Sequence, residues 1–261
     1  MSDALPQPTP YPDVNAVLRV LCLGVEAALG SRFIGLYLYG SLATGDFDPQ
    51  RSDIDFLVVT TGELPETLFL VLKALHARLA ASGVKWASQL EGVYMPQADL
   101  RHYDPARARL PYLGVGEDLV IAQQGYDWVI QRHSLREHGV VVTGPALQPL
   151  IDPVGPDELR HAIQASLQEG WPPLLANPAR LHHRPYQAYA TLTMCRALHT
   201  LASGELASKS VAARWAQATL GPQWVTLIDR ALAWPDAPQL DALPETLDFI
   251  RFTLEQSGRQ L

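Results

Sequence analysis

Lysine is nearly missing from this 261-residue chain. Lys73, Lys85 and Lys209 are the only three, and arginine supplies the other seventeen basic side chains. With 27 acidic residues the formal net charge is -7. A protein that grips a nucleic-acid backbone normally presents a basic face. The balance therefore argues against a nucleic-acid partner and favours a cationic ligand, which an acidic field attracts. Cysteine is scarce as well. Cys22 and Cys195 lie far apart in helix-like apolar stretches, which reads as two buried, reduced thiols. No apolar run reaches the ~18 residues needed to cross a bilayer, so no membrane association is expected. Residues 1–12 carry no basic residue ahead of an apolar segment, unlike a secretory leader, and read as a loose proline-rich arm. A cytoplasmic location is the resulting expectation. Internal repeats and low-complexity tracts are absent.

Apolar residues, by contrast, are plentiful: 48% of the chain is hydrophobic and 18% charged. That is enough core for one large domain or two small ones and too apolar for disorder. Helical spacing marks residues 14–29, with Val14, Val17, Leu18, Leu21 and Val25 on one stripe. Short apolar runs predict strands over residues 33–39, 54–60 and 84–95, and a helix spans 65–81. Residues 99–111 read as irregular, 118–133 as a helix and 140–142 as a brief strand. From residue 157 only helices are predicted, over 157–169, 185–202, 208–220, 223–233 and 240–256. Gly204, Gly221-Pro222 and Pro235 punctuate them. The fold class is thus a mixed α/β N-terminal domain, residues 1–150, followed by an all-α domain, residues 151–261. Four prolines cluster between Gly144 and Pro156 at the boundary.

The chemistry concentrates in Tyr37-Leu38-Tyr39-Gly40-Ser41 and Ser52-Asp53-Ile54-Asp55. A strand runs into Gly-Ser, a loop follows, and a second strand opens with Asp-x-Asp. Side chains alternate across a strand, so Asp53 and Asp55 share a face; Ile54, Leu57 and Val59 are assigned to the core-facing set. Two carboxylates on one face repel unless a cation lies between them, and oxygen-only ligands suit Mg²⁺. Gly40 allows a sharp turn and close approach to a ligand. Backbone N–H groups and the Ser41 hydroxyl can then hold phosphate oxygens. Glu91 stands in an apolar strand, where an unpaired charge is costly, and fits a general base that takes a proton from an acceptor hydroxyl. The neighbouring Gly92 leaves room for substrate. Blander readings remain at this stage: Asp-x-Asp as a turn cap, and Glu91 as an edge-strand surface carboxylate.

Gly40-Ser41 and Ser52-Asp53-Ile54-Asp55 resemble the motif of the polymerase-β-like nucleotidyltransferase superfamily. The later runs Ala190-Thr191-Leu192-Thr193-Met194-Cys195-Arg196, Gly204-Glu205 and Ser208-Lys209-Ser210-Val211 resemble the helical domain of bacterial aminoglycoside 3''(9)-adenylyltransferases. Arg136-Glu137-His138 with Gly144-Pro145-Ala146 resembles that family's inter-domain segment. The likeness runs from Val14 to Phe252. It implies a nucleotidyltransferase domain followed by a helical C-terminal domain, and Mg-dependent transfer of AMP from ATP to a hydroxyl of streptomycin, spectinomycin or both. By position it implies that Asp53 and Asp55 hold Mg²⁺, that Glu91 is the base, and that Ser41 and Ser52 contact ATP phosphates. Arg196 and Lys209 would reach the nucleotide from the helical domain. The chain departs from the streptomycin-modifying pattern in two stretches: residues 112–122 have no Trp, and 181–189 have no acid. Glu117, Asp118 and Asp127 are candidate substitutes. A different small-molecule or protein acceptor is the alternative, and a non-catalytic nucleotidyltransferase-fold partner protein is the reading from another class.

Overall fold

The structure, a computed structural model, describes residues 7–234 and 241–259. The first six residues of the expected N-terminal arm, the break at Pro235 and the helix start at Leu240 lie outside the described residues. The chain divides into two compact units. One runs up to Gln124 and includes Gln131–Pro153; the other takes Gly125–Ile130 and the chain from Val154 onward.

The first unit begins with α1 (Pro12–Leu29), β1 (Phe33–Leu38), the short α2 (Gly40–Thr44) and β2 (Ile54–Thr60). It continues with α3 (Glu66–Ala80), β3 (Leu90–Pro96), α4 (Gln97–Leu100), β4 (Arg109–Leu113) and β5 (Leu119–Gln123). Helix α5 (Asp127–His138), whose residues up to Ile130 belong to the second unit, and β6 (Val140–Thr143) follow. The strands form one six-stranded sheet in the order β5-β4-β3-β2-β1-β6. β2 and β3 pair parallel; the other pairs are antiparallel.

One face of this sheet, with Leu36, Leu38, Ile54, Phe56, Val58, Leu90 and Tyr94, belongs to a core shared with Val14, Val17, Leu18, Leu21 and Val25 of α1 and Leu72 and Leu79 of α3. Leu57 and Val59 are fully buried too, but not in the set assigned from the sequence. Period-two alternation puts them on the face of Asp55, opposite Ile54, Phe56 and Val58. By length and composition α1 could cross a membrane, with a mean hydropathy of 1.5 in an 18-residue window within Pro12–Arg32, against the expectation from the sequence. Its apolar stripe is committed to this core.

Several secondary-structure expectations differ from the structure: residues 99–111 are not wholly irregular, as β4 begins at Arg109, and the helix expected over 157–169 runs on to Ala176. Residues 118–133 are not one helix: Leu119–Gln123 is an edge strand registered on β4, and the helix starts only at Asp127. The β-branched Val120-Ile121 favours a strand, and Gly125 breaks the run. Likewise β3 does not begin at residue 84. Trp86 adopts a left-handed backbone (φ 74°) and Ala87–Gln89 forms a 3-10 turn ahead of Leu90.

The second unit contains α6 (Pro156–Ala176), α7 (Arg184–Ser203), α8 (Lys209–Thr219), α9 (Val225–Leu232) and α10 (Leu243–Arg259). α7 is its central helix. Ala190, Met194, Cys195, Ala197, Leu198 and Leu201 pack with Ala212, Ala213 and Ala216 of α8, Ile228 of α9 and Phe249 and Ile250 of α10. Gly204 (φ 75°) ends α7 by donating its N–H to the Thr200 carbonyl at 2.7 Å, a left-handed helix stop. Ser208 caps α8, its hydroxyl accepting the Val211 N–H. Both cysteines are free and buried, Cys22 in the first core and Cys195 in the second. Burial raises both thiol pKa values, that of Cys195 to about 12, which keeps them protonated and unreactive.

Candidate active site

β2 and β3 are buried at every position except their second, where Asp55 and Glu91 are half-exposed. The parallel register places these two residues side by side. Asp53, two residues before Asp55, joins them. One carboxylate oxygen from each of Asp53, Asp55 and Glu91 lies within 4.8 Å of the others. Three acids this close repel strongly unless a cation neutralises them, and hard oxygen donors without nitrogen or sulfur suit Mg²⁺. The donor set therefore fits a divalent ion. As the sequence predicted, Asp53 and Asp55 share a face, and Glu91 faces the cluster.

Gly40 is where the motif's two halves meet. Its φ is +62°, and a Cβ there would stand 1.8 Å from Asp55 Oδ2 and 2.7 Å from Asp55 Cγ. The backbone beyond β1 thus lies directly against the carboxylate, and Tyr39 N–H donates to the Asp55 carbonyl at 3.2 Å. Gly40-Ser41 does not lead straight into a loop: it opens α2, which Gly45 ends at φ 77°. The first turn of a helix leaves N–H groups without intrahelical acceptors. The Ser41 Oγ is buried and has no hydrogen-bond partner.

The segment that aims Asp53 is held by residues the sequence reading passed over. Phe47 is buried between Tyr11 and Trp86, at ring distances of 4.7 and 5.4 Å. Asp48 then organises a tight turn. Its N–H donates to Ser52 Oγ at 3.0 Å, its carbonyl accepts the Ser52 N–H at 2.8 Å, and its carboxylate pairs with Arg51 at 3.0 Å. Asp48 and Ser52 thus cap this turn. The Ser52 hydroxyl accepts within it and retains its own proton to donate.

Gly92 has a different task from the one expected. A Cβ there would stand 2.4 Å from the Phe56 carbonyl oxygen and 2.6 Å from its ring. It lies on the opposite face from Glu91, so it serves the packing of β3 on β2 rather than substrate approach. Phe56 is backed by His76, whose Nε2 is 2.7 Å from the Tyr94 hydroxyl. Burial lowers the His76 pKa to about 4.

Tyr112 was missed as a functional candidate. It sits opposite Val93 in the β3–β4 register and donates its hydroxyl to Glu91 Oε1 at 2.7 Å. A tyrosine between the buried Pro111 and Leu113, needing a partner for its hydroxyl, was the available signal.

Arg196 and Lys209 belong to the second unit. Arg196 Nε donates to the Ala207 carbonyl at 3.1 Å, fixing the approach to α8, and Lys209 is the first residue of that helix. Its ammonium is 5.8 Å from the Tyr189 ring centre, and Tyr189 also packs on Tyr186 and Trp171. Among the acids proposed as substitutes, Asp118 pairs with Lys73 at 3.2 Å and Glu117 folds back beside Gly114. Asp127, in the second unit, neighbours Glu169: a Cβ at Gly125 would be 3.1 Å from the one carboxylate and 3.5 Å from the other.

Residues 26–104 match the family model for a nucleotidyltransferase domain, and residues 149–247 match that for the aminoglycoside adenylyltransferase C-terminal domain. A spectinomycin 9-adenylyltransferase of Staphylococcus aureus is 30% identical over 229 residues, covering 83% of each chain. The chain belongs to the aminoglycoside adenylyltransferase family. Another member, the aminoglycoside (3'') (9) adenylyltransferase of Shigella flexneri, is 28% identical over 259 residues, 92% of this chain and 94% of its own. The fold is shared with a spectinomycin adenyltransferase from Enterococcus faecialis whose crystal structure holds ATP and spectinomycin. That likeness has a TM-score of 0.72 at 18% identity and covers 92% of this chain and 98% of the other. Membership makes this adenylyltransferase-family protein a nucleotidyltransferase, and it places the three-carboxylate cluster inside the matched nucleotidyltransferase domain.

Proposed function

We propose that this enzyme transfers AMP from ATP to a hydroxyl of an aminoglycoside-type antibiotic, streptomycin, spectinomycin or both, and releases pyrophosphate. The observation that carries this reading is the convergence of Asp53, Asp55 and Glu91 beside the Gly40 backbone, in a chain of this family. Asp53 and Asp55 would hold Mg²⁺, which when bound would neutralise phosphate charge and stabilise the charge developing on the oxygens of the transferring group. Glu91 takes the proton from the acceptor hydroxyl. The freed oxygen forms a bond to the α-phosphorus as the bond to pyrophosphate breaks. The N–H groups at the start of α2 and the Ser41 hydroxyl bind phosphate oxygens, with Ser52 as a further donor. Arg196 and Lys209 supply positive charge to the triphosphate, which brings about four negative charges of its own.

Asp127 and its neighbour Glu169 are the carboxylates of the second unit that would suit cationic groups of an acceptor. One feature favours a second reading, adenylyl transfer to another acceptor: the segment 181–189 has no acid and presents Tyr186 and Tyr189 instead. Incubation with labelled ATP, Mg²⁺ and a panel of aminoglycosides separates the two readings, with mass spectrometry for the adenylylated drug. An AMP-drug adduct is the expected product. ATP turnover confined to other hydroxyl compounds would overturn the antibiotic assignment, and no transfer to any acceptor would overturn the enzyme reading.

A further inference from the structure

The sheet order puts β3 between β2 and β4. Glu91 is therefore met from both sides: by Asp55 of β2 in register, with Asp53 close by, and by Tyr112 of β4. Tyr112 pairs with Val93, and Glu91 lies two residues before Val93, so the tyrosine reaches Glu91 along the diagonal of one sheet face. Its hydroxyl donates to Oε1 at 2.7 Å, the length of a charge-assisted bond from a phenol to a carboxylate. A glutamate's terminal torsion is broad and roughly two-fold, and the like charges of Asp53 and Asp55 push the Glu91 carboxylate away from the cluster. A base must nonetheless hold its oxygen within hydrogen-bond reach of the acceptor.

We propose that Tyr112 is the positioning residue of Glu91: its hydroxyl fixes the rotation of the carboxylate against the repulsion of Asp53 and Asp55, so that Glu91 stands ready to receive the acceptor's proton. The inference rests on the reading of Glu91 as the base. The rest of the tyrosine is a ring on a β-strand, which phenylalanine replaces without loss of packing; only the hydroxyl carries the role. Nothing in the assignment of Asp53, Asp55, Arg196 or Lys209 requires it.

The test compares Tyr112→Phe, Glu91→Gln and the double variant in the full-length protein. Tyr112→Phe is expected to lower kcat by about 10- to 100-fold, the scale of one hydrogen bond to a charged group. KM for ATP and for the acceptor should stay within about twofold, the pattern for an interaction that matters to the reacting step rather than to binding. Mn²⁺ binding, followed by its paramagnetic signal, and the thermal unfolding midpoint should match those of the wild type. In the Glu91→Gln background the same change should add less than about twofold, because residues that act as one unit are not additive. Wild-type kcat in Tyr112→Phe, with Glu91→Gln inactive, overturns the role of Tyr112 and leaves the base reading standing. Full activity in Glu91→Gln overturns the base reading itself. A rise in acceptor KM at unchanged kcat, or weakened Mn²⁺ binding, assigns the hydroxyl to acceptor or metal binding and also overturns the proposal.

Discussion

Gly40→Ala removes no donor, acceptor or charge, yet it should silence the enzyme while sparing the fold. Two costs compete. The added methyl makes a non-glycine residue adopt φ +62°, a penalty of about 1–2 kcal/mol. That is a fraction of the ~5–15 kcal/mol that stabilises an ordinary domain, so the protein remains folded. The second cost falls on the site. The new Cβ would stand 1.8 Å from Asp55 Oδ2 and 2.7 Å from its Cγ, where real contacts are not shorter than 3.0 Å. The carboxylate or the α2 backbone must therefore shift by at least about 1.2 Å, and misplacement of about 1 Å in a reacting site costs on the order of 10²-fold in rate. The expected result is a loss of about 100-fold or more in kcat with a modest fall in melting temperature, and weaker Mn²⁺ binding if the displaced group is a metal ligand. Adenylyl transfer assays, thermal unfolding and Mn²⁺ titration read the three quantities separately. A soluble Gly40→Ala variant with kcat near wild type would refute the argument that Asp55 depends on this contact.

Asp53→Asn and Asp55→Asn should each abolish transfer at saturating Mg²⁺ while leaving the circular-dichroism spectrum unchanged; near-wild-type turnover in either would remove that residue from the metal assignment. Lys209→Ala should weaken ATP binding by about 10- to 100-fold, the scale of a charge-assisted contact to phosphate, as measured by calorimetry with a non-hydrolysable analogue; unchanged affinity would exclude Lys209 from the nucleotide site. His76 sets a pH limit on the first unit. Its pKa is lowered from 6.5 to about 4 by burial, so the unfolded chain binds the proton more readily. Stability is then full above pH 6.5 and falls as pH drops toward 4, by about 3 kcal/mol in total. Denaturant titrations at pH 7 and 4.5 should show a smaller pH loss in His76→Phe than in wild type, and equal losses would exclude His76 as the cause.

The acidic motif was legible because it depends on local rules. Alternation along one strand is enough to put Asp53 and Asp55 on a shared face, and a lone carboxylate in an apolar strand is enough to single out Glu91. The helices of the second unit were legible for the same reason, each carrying its own 3.6-residue stripe, but α6 runs to Ala176 through Gly170, Pro172 and Pro173, past the end at residue 169 that the sequence predicts. Residues 118–133 failed because a short apolar run has no period long enough to separate strand from helix; β5 exists only because β4 is there to pair with it.

By itself, then, the sequence determined which residue types stand in which local order, and through that order the family and the chemistry the motif can support. It did not determine which residues from distant segments would touch. That Gly40 is pressed against Asp55, that Gly92 is there for Phe56, that Phe47 and Asp48 aim the loop before Asp53, and that Tyr112 holds Glu91 were decided by the tertiary structure. The physical reason is that a hydrogen bond or a steric contact acts over a few ångströms of space, while the sequence records distance only along the chain. Tyr112 lies 21 residues from Glu91 by that measure and 2.7 Å away by the other.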